Sequence, residues 1–398
     1  MPSPTRFHEE KNAFVARSLR KEEHAHKDRL SAFCIFRRIL LCFVTLVLCL
    51  AVTLISAVYV LVNGPCEPLR DRLVLSAMQA SATKWLPGLF LPQKTVESIV
   101  SQSYVVSTDV ISLDDYAAQS TDSTQITDEW ANAIDGMLLE TVNGSTFTGY
   151  VLLVKDPSRL FVGTSSDFTK GLAGMRIFDI VQKENAVAAI NAGEFADPGG
   201  TGTGSNPMGI TYSRGACVWN DSLKRTFIGF DTNDRLVATE PMDKKTAEAL
   251  SIRDGVSFQN GNVLITNEAG NVTVHYADSN TGTAQRTAIG QRADGTVILL
   301  VTDGRSASSL GATRNDVIDV MVSYGAVTAG MLDGGSSSLM FYEDYYTKYG
   351  ISEDTLDDYQ KKGLVNRYKA FTTPRRIPTY ICVAYEGENA PAKESDVQ

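Results

Sequence analysis

Apolar positions follow two regimes along the 398-residue chain. Ile39 to Val62, ILLCFVTLVLCLAVTLISAVYVLV, runs for 24 residues without a charge. That is long enough to cross a bilayer as a helix, and longer than the apolar core of a cleaved leader. Residues 63–144 then offer only short amphipathic stretches such as DRLVLSAMQASATKWL, punctuated by Pro65, Pro68, Pro87 and Pro92. They predict a partly helical juxtamembrane stalk, with polar residues 112–130 as a linker. From about Gly144 short apolar runs bounded by glycines take over, which places a globular domain at 145–386 and a tail at 387–398.

Within that domain the runs read as strands with few helices. TFTGYVLLVKDPSRLFVGTS is two strands about a turn at Asp156 and Pro157, and MRIFDIVQKEN is a helix leading into the buried strand AVAAIN. RTFIGFDTNDRLVAT and RTAIGQRADGTVILLVTDGR are hairpins. Thr313 and Asp316 form a capping box ahead of an apolar stripe at Val317, Val320, Met321 and Tyr324, and TAGMLD is the strand that follows. The expected class is α+β: a mixed, strand-rich central sheet flanked by helices, preceded by one transmembrane helix and the stalk.

Charge orients this plan. Residues 1–38 carry nine Lys and Arg against five Asp and Glu, with Arg37 and Arg38 abutting the apolar run. Such a bias keeps the N-terminus cytoplasmic and sends the rest of a single-pass protein outside the cell membrane. The outward part then holds about −13 of charge, which argues against nucleic acid or an anionic membrane surface as its main partner. Its three cysteines, Cys66, Cys217 and Cys382, allow one disulfide at most, and its only histidine, His275, leaves no two-histidine zinc site and little scope for a Ser-His-Asp arrangement.

Three strands end in polar, glycine-rich turns: AAIN into AGEFAD, LLVT into DGR, and AGML into DGGSSS. Shared placement at one end of a sheet would make a ligand site. Gly334 and Gly335 free backbone N–H groups to point into one concavity, Ser336 and Ser337 add hydroxyls, and Arg286 or Arg305 supplies a fork for a phosphate. Asp303 and Asp333 suit either general acid–base work or a divalent cation, the only cofactor suggested.

These segments, NAGEF…NPMGI, RTAIG…LLVTDGR, GAT…VSYGAVTAGMLDGGSSSLM and PRRIPTYICVAYE, resemble in order and spacing the phosphodiester glycosidase family. The resemblance implies a hydrolase, placed outside the cell by the charge bias, that cleaves the glycosidic bond of sugar-1-phosphodiesters, with an activity like that of a phosphodiester alpha-N-acetylglucosaminidase. It also implies site residues. Asp303, Asp333 and Glu194 would be catalytic; Asn191, Gly193, Asp197, Arg286, Thr287, Arg305, Gly334, Gly335, Ser336 and Ser337 would hold the sugar and its phosphate. Glu194 departs from the family's usual N-A-G-F-F-like run. The anchor suggests substrates in cell-envelope glycopolymers or exopolysaccharide. The competing readings are a non-catalytic module binding anionic glycopolymers and a phosphodiesterase cleaving the P–O bond.

Overall fold

The computed structural model describes residues 35–60, 64, 67–78, 83–102, 106–113, 116, 129–169, 171–198, 203–277, 282–304, 309–368 and 373–387. The chain divides into two compact units, Met1–Glu67 and Pro68–Gln398. In the first, α1 (Ile35–Val60) is 26 residues of high hydropathy with none of its apolar window buried, long and apolar enough to cross a membrane. It starts four residues before the expected Ile39 and takes in Arg37 and Arg38, whose long side chains can keep their charge in water while the helix continues.

The second unit is α+β. Its largest sheet has eight strands in the order β1 (Val106–Ser112), β12 (Asn271–Ala277), β11 (Val263–Glu268), β15 (Ala326–Met331), β13 (Thr287–Arg292), β14 (Val297–Thr302), β3 (Thr148–Val154) and β2 (Met137–Asn143). A four-stranded sheet runs β16 (Met340–Tyr342), β5 (Ala186–Asn191), β17 (Thr379–Ala384), β4 (Leu160–Thr164). A five-stranded one runs β7 (Ala216–Asn220), β6 (Ile210–Ser213), β10 (Ile252–Phe258), β8 (Arg225–Asp231), β9 (Leu236–Met242). In place of one central mixed sheet there are three antiparallel ones. The reason lies in β13. The chain passes from β14 through a helix back to the same sheet, which would make a parallel pair, but β13 lies between β14 and β15 and is antiparallel to both.

Packing is layered. Leu152, Val154, Ile289, Leu299 and Val301 of the large sheet meet Leu160, Val162, Ala188, Ile190, Ile381 and Val383 of the four-stranded sheet in the main core. On the large sheet's other face lie Val317, Ile318 and Met321 of the helix Arg314–Ser323; on the four-stranded sheet's outer face lie Ile177, Ile180 and Val181 of the helix Ile177–Lys183. β5, β14 and β17 are therefore buried on both faces, which is why their sequences are apolar without alternation.

The segment expected to be a stalk is built into this unit. β2 pairs with β3 over its whole length, β1 pairs with β12, and the ring of Tyr116 is 1% exposed with its hydroxyl donating to Ala326 O at 2.7 Å. These contacts place the start of packed structure well before residue 145. Composition misses this because β1 and β2 are edge strands, and the exposed positions of β2, Glu140, Thr141 and Asn143, are polar. Cys217 and Cys382 are free, and Cys66 lies outside the described residues.

Candidate active site

β14 and β15 run in the same direction on either side of β13, so both C-terminal ends leave one edge of the large sheet, where β13 begins. The end of β5 arrives from the facing sheet: Asp333 N donates to Ala192 O at 3.0 Å. The three expected turns thus converge, across two sheets rather than along one.

Asn191 makes the joint. Fully buried, it donates from Nδ2 to Asp333 O at 2.6 Å, while its Oδ1 accepts from Thr287 Oγ1 at 2.8 Å and from Leu339 N at 3.0 Å. Arg286 is also buried, donating to Ala312 O at 3.1 Å and Gly282 O at 2.6 Å. Asn191, Thr287 and Arg286 were expected to meet substrate; the structure commits them to the chain beneath the site, because each is drawn to carbonyls, amides or hydroxyls already fixed there.

Above this layer stand the charged groups. Glu194 forms an ion pair with Arg225 at 2.7 Å and accepts from Gln259 Nε2 at 3.4 Å. Burial pushes its carboxyl above the usual range, and Arg225 opposes that shift. Asp333 is pushed up to about 6, first by burial, with the negative charge of Glu194 adding and with Ser337, Arg375 and the Gly334 N–H opposing. The charge of Glu194 therefore reaches Asp333. Arg375 donates to Asp197 Oδ2 at 2.7 Å and to Ser336 Oγ at 3.3 Å, and lies 5.1 Å over the ring of Phe195. Its guanidinium ties the loop after β5 to the turn after β15.

The turn itself depends on glycine. Gly335 has φ +61° and donates its N–H to Gln285 O at 2.9 Å; a Cβ on Gly334 would come within 2.9 Å of that same carbonyl. Gly193 donates to Thr379 Oγ1 at 3.2 Å, and a Cβ there would lie 2.9 Å from Ser257 O and from Val256 Cβ. Ser336 is exposed, whereas Ser337 is buried against Asp333.

Asp303 stands apart from that group. Its Oδ2 accepts from the Tyr150 hydroxyl at 3.2 Å and its Oδ1 from Arg367 N at 2.9 Å, and burial pushes its carboxyl above the usual range. The segment it holds leans on the serine turn: Asn366 accepts from Met340 N at 2.8 Å and donates to Ser338 O at 3.1 Å, and the Tyr368 hydroxyl donates to Ser336 O at 3.1 Å. Arg305 lies outside the described residues. Among the described residues no three His, Cys, Asp or Glu side chains gather as a metal-ligand set, Asp303 and Asp333 included. His275 sits within β12 and hydrogen-bonds Thr266 at 3.2 Å.

Against this geometry, the sequence pattern of the phosphodiester glycosidase family matches residues 184–384, half of the chain. The chain belongs to the phosphodiester glycosidase family. The matched span holds Glu194, Asp197, Arg225, Asp303, Asp333 and Arg375. The SPbeta prophage-derived uncharacterized protein YomE of Bacillus subtilis is 46% identical over 61 residues, which cover 15% of this chain and only 10% of that protein. Among solved structures, the catalytic domain of zebrafish N-acetylglucosamine-1-phosphodiester alpha-N-acetylglucosaminidase, auto-inhibited by its pro-peptide, is 15% identical at a TM-score of 0.46, covering 72% of this chain and 90% of that one. A hypothetical protein from Synechocystis is 15% identical at a TM-score of 0.41, covering 63% of this chain and 62% of that one.

A phosphodiester glycosidase has to stabilise an oxocarbenium-like transition state with a carboxylate, and a departing phosphate with cations and N–H donors. The site brings together two interacting carboxylates, an arginine acting on each, and a glycine–serine turn. Arg225 and Arg375 are not marked by the sequence: Arg375 lies in the closing PRRIPTY segment, 178 positions from Asp197, and nothing about Arg225 at the head of β8 singles it out before folding.

Proposed function

We propose that this protein hydrolyses the glycosidic bond of sugar-1-phosphodiesters, freeing the sugar and leaving a phosphomonoester. The observation that supports the reading best is the meeting of Glu194, Asp333, Arg225 and Arg375 where β5 and β15 end and β13 begins. Asp333 and Glu194 act at the anomeric carbon, one of them taking the proton of the attacking water or attacking directly. Arg375 and Ser336 hold the phosphate, presented by the Gly334–Gly335 turn, whose own N–H groups go to Asp333 Oδ1 and Gln285 O; Asp197 meets the sugar and Gly193 lets the loop approach it. A phosphate diester leaves readily, so charge stabilisation matters more than protonation of the leaving oxygen. Asp303 positions the Arg367 segment against the serine turn. Anchored by α1 with its N-terminus inside the cell, the enzyme works on the outer side of the cell membrane, on phosphodiester-linked sugars of envelope polymers.

The test is product analysis with N-acetylglucosamine 1-phosphate diesters. Wild-type protein is expected to release reducing sugar, and Asp333→Asn and Glu194→Gln to lower kcat by roughly 10²–10⁴. Release of sugar phosphate instead would assign P–O cleavage, and polymer binding without turnover would make the domain a binding module.

A further inference from the structure

One segment of the second unit keeps large apolar side chains in water. Trp85 and Leu89 are 63% and 62% exposed, with Leu86 and Phe90 beside them. α2 (Glu67–Met78) exposes Leu69 and Leu73 while burying Val74 and Leu75 against Val96 and Ile99 of α3 (Gln93–Gln102). A cluster of that size on the surface marks a contact with something apolar.

The same segment borders the site. Thr283 N donates to Ser76 Oγ at 3.0 Å, and Gly282 lies so close to α2 that a Cβ would come within 2.3 Å of Ser76 N. Three residues further on, Gln285 O receives the Gly335 N–H of the serine turn at 2.9 Å. Lys84, next to Trp85, is near enough for its charge to act on Glu194. The helix beside the apolar rim and the candidate phosphate turn thus rest on the same short segment, Gly282 to Gln285. Its cover can be named from the chain: Val60, the end of a 26-residue helix able to cross a membrane, is nine positions before Leu69. Trp next to such a helix suits the lipid interface, and Phe and Leu beside it are the usual apolar face of a segment lying there.

We propose that the substrate is membrane-borne: a sugar 1-phosphate esterified to a long-chain lipid alcohol, its chain in the bilayer under the Trp85–Phe90 rim and its sugar phosphate reaching Glu194, Asp333 and Arg375. This rests on the glycosidase reading and names its leaving group. Water adds its oxygen to the anomeric carbon, the carbon–oxygen bond to phosphate breaks, and the electron pair stays on that oxygen. The proton of water passes through the carboxylates to the departing lipid monophosphate.

The experiment uses the full chain in phosphatidylcholine vesicles, with N-acetylglucosamine 1-phosphate supplied as its oleyl or its methyl diester. Wild type is expected to favour the oleyl diester in kcat/KM by about tenfold or more, since two-dimensional confinement raises the effective concentration. A variant with Trp85→Ser, Leu89→Ser and Phe90→Ser is expected to lose that preference and keep its rate on the methyl diester, which also reports that it folds. Equal wild-type rates on the two diesters, or an undiminished preference in the variant, would overturn the proposal. Wild type inactive on both would instead overturn the glycosidase reading, and this proposal with it.

Discussion

Asp333 is held by burial in a state that favours its proton, and that has consequences for both activity and folding. Its folded pKa of about 6 lies above the ordinary 3.8, so the folded protein binds this proton more tightly than the unfolded chain does. The stability it contributes is complete below pH about 4 and is lost as pH rises through about 6. Asp333→Asn is therefore expected to melt at a higher temperature than wild type at pH 8 while losing activity, as thermal scans and rates on one preparation would show. Arg375 holds the same pKa down. Arg375→Ala is expected to move the acidic limb of the kcat/KM profile upward from about 6 and to raise KM; an unmoved limb would remove Asp333 from that ionisation. Asn191 carries no charge, yet its loss should be felt more widely. Asn191→Ala leaves Thr287 Oγ1 and Leu339 N without their buried acceptor, at a cost of about 3 kcal/mol or more in urea unfolding.

Among the elements, those built from neighbouring residues were legible before folding. The capping box at Thr313 and Asp316 forms with both of its bonds, because both partners lie within one turn. The hairpins β8–β9 and β13–β14 likewise close over short turns, with Asp234 at φ +61° and Gly295 at φ +94°. The turn after β15 is different in kind: its glycines are set by the Gln285 carbonyl, a group from β13's approach that the local pattern does not contain. Gly334→Ala must push that turn off Gln285, and is expected to lower kcat/KM by at least about tenfold with the circular dichroism spectrum unchanged.

At the scale of the whole molecule, the deepest difference from the sequence pattern is where the domain begins. A chain starting at residue 145 lacks β1, β2 and Tyr116, leaving the edges of β3 and β12 bare and a hole beside Ala326. It is expected to aggregate or to melt without a cooperative transition, whereas a chain starting at Glu67 melts cooperatively; calorimetry on the two distinguishes them.

The sequence by itself determined what depends on near neighbours: the apolar run of α1, the turn chemistry, the capped helix, and the three glycine-rich strand ends with their carboxylates. Tertiary structure alone decided which of those ends share a site. Asn191 reaches Asp333 across 142 positions, and Arg375 reaches Asp197 across 178. No periodicity extends over such separations, and the same three turns could have faced different solvent. Folding brought Asp333 within range of Glu194's charge, turned Arg286 and Thr287 inward, and drew Asp303 toward Tyr150 and Arg367, because each buried polar group had to be matched by a partner that only the packed sheets bring within reach.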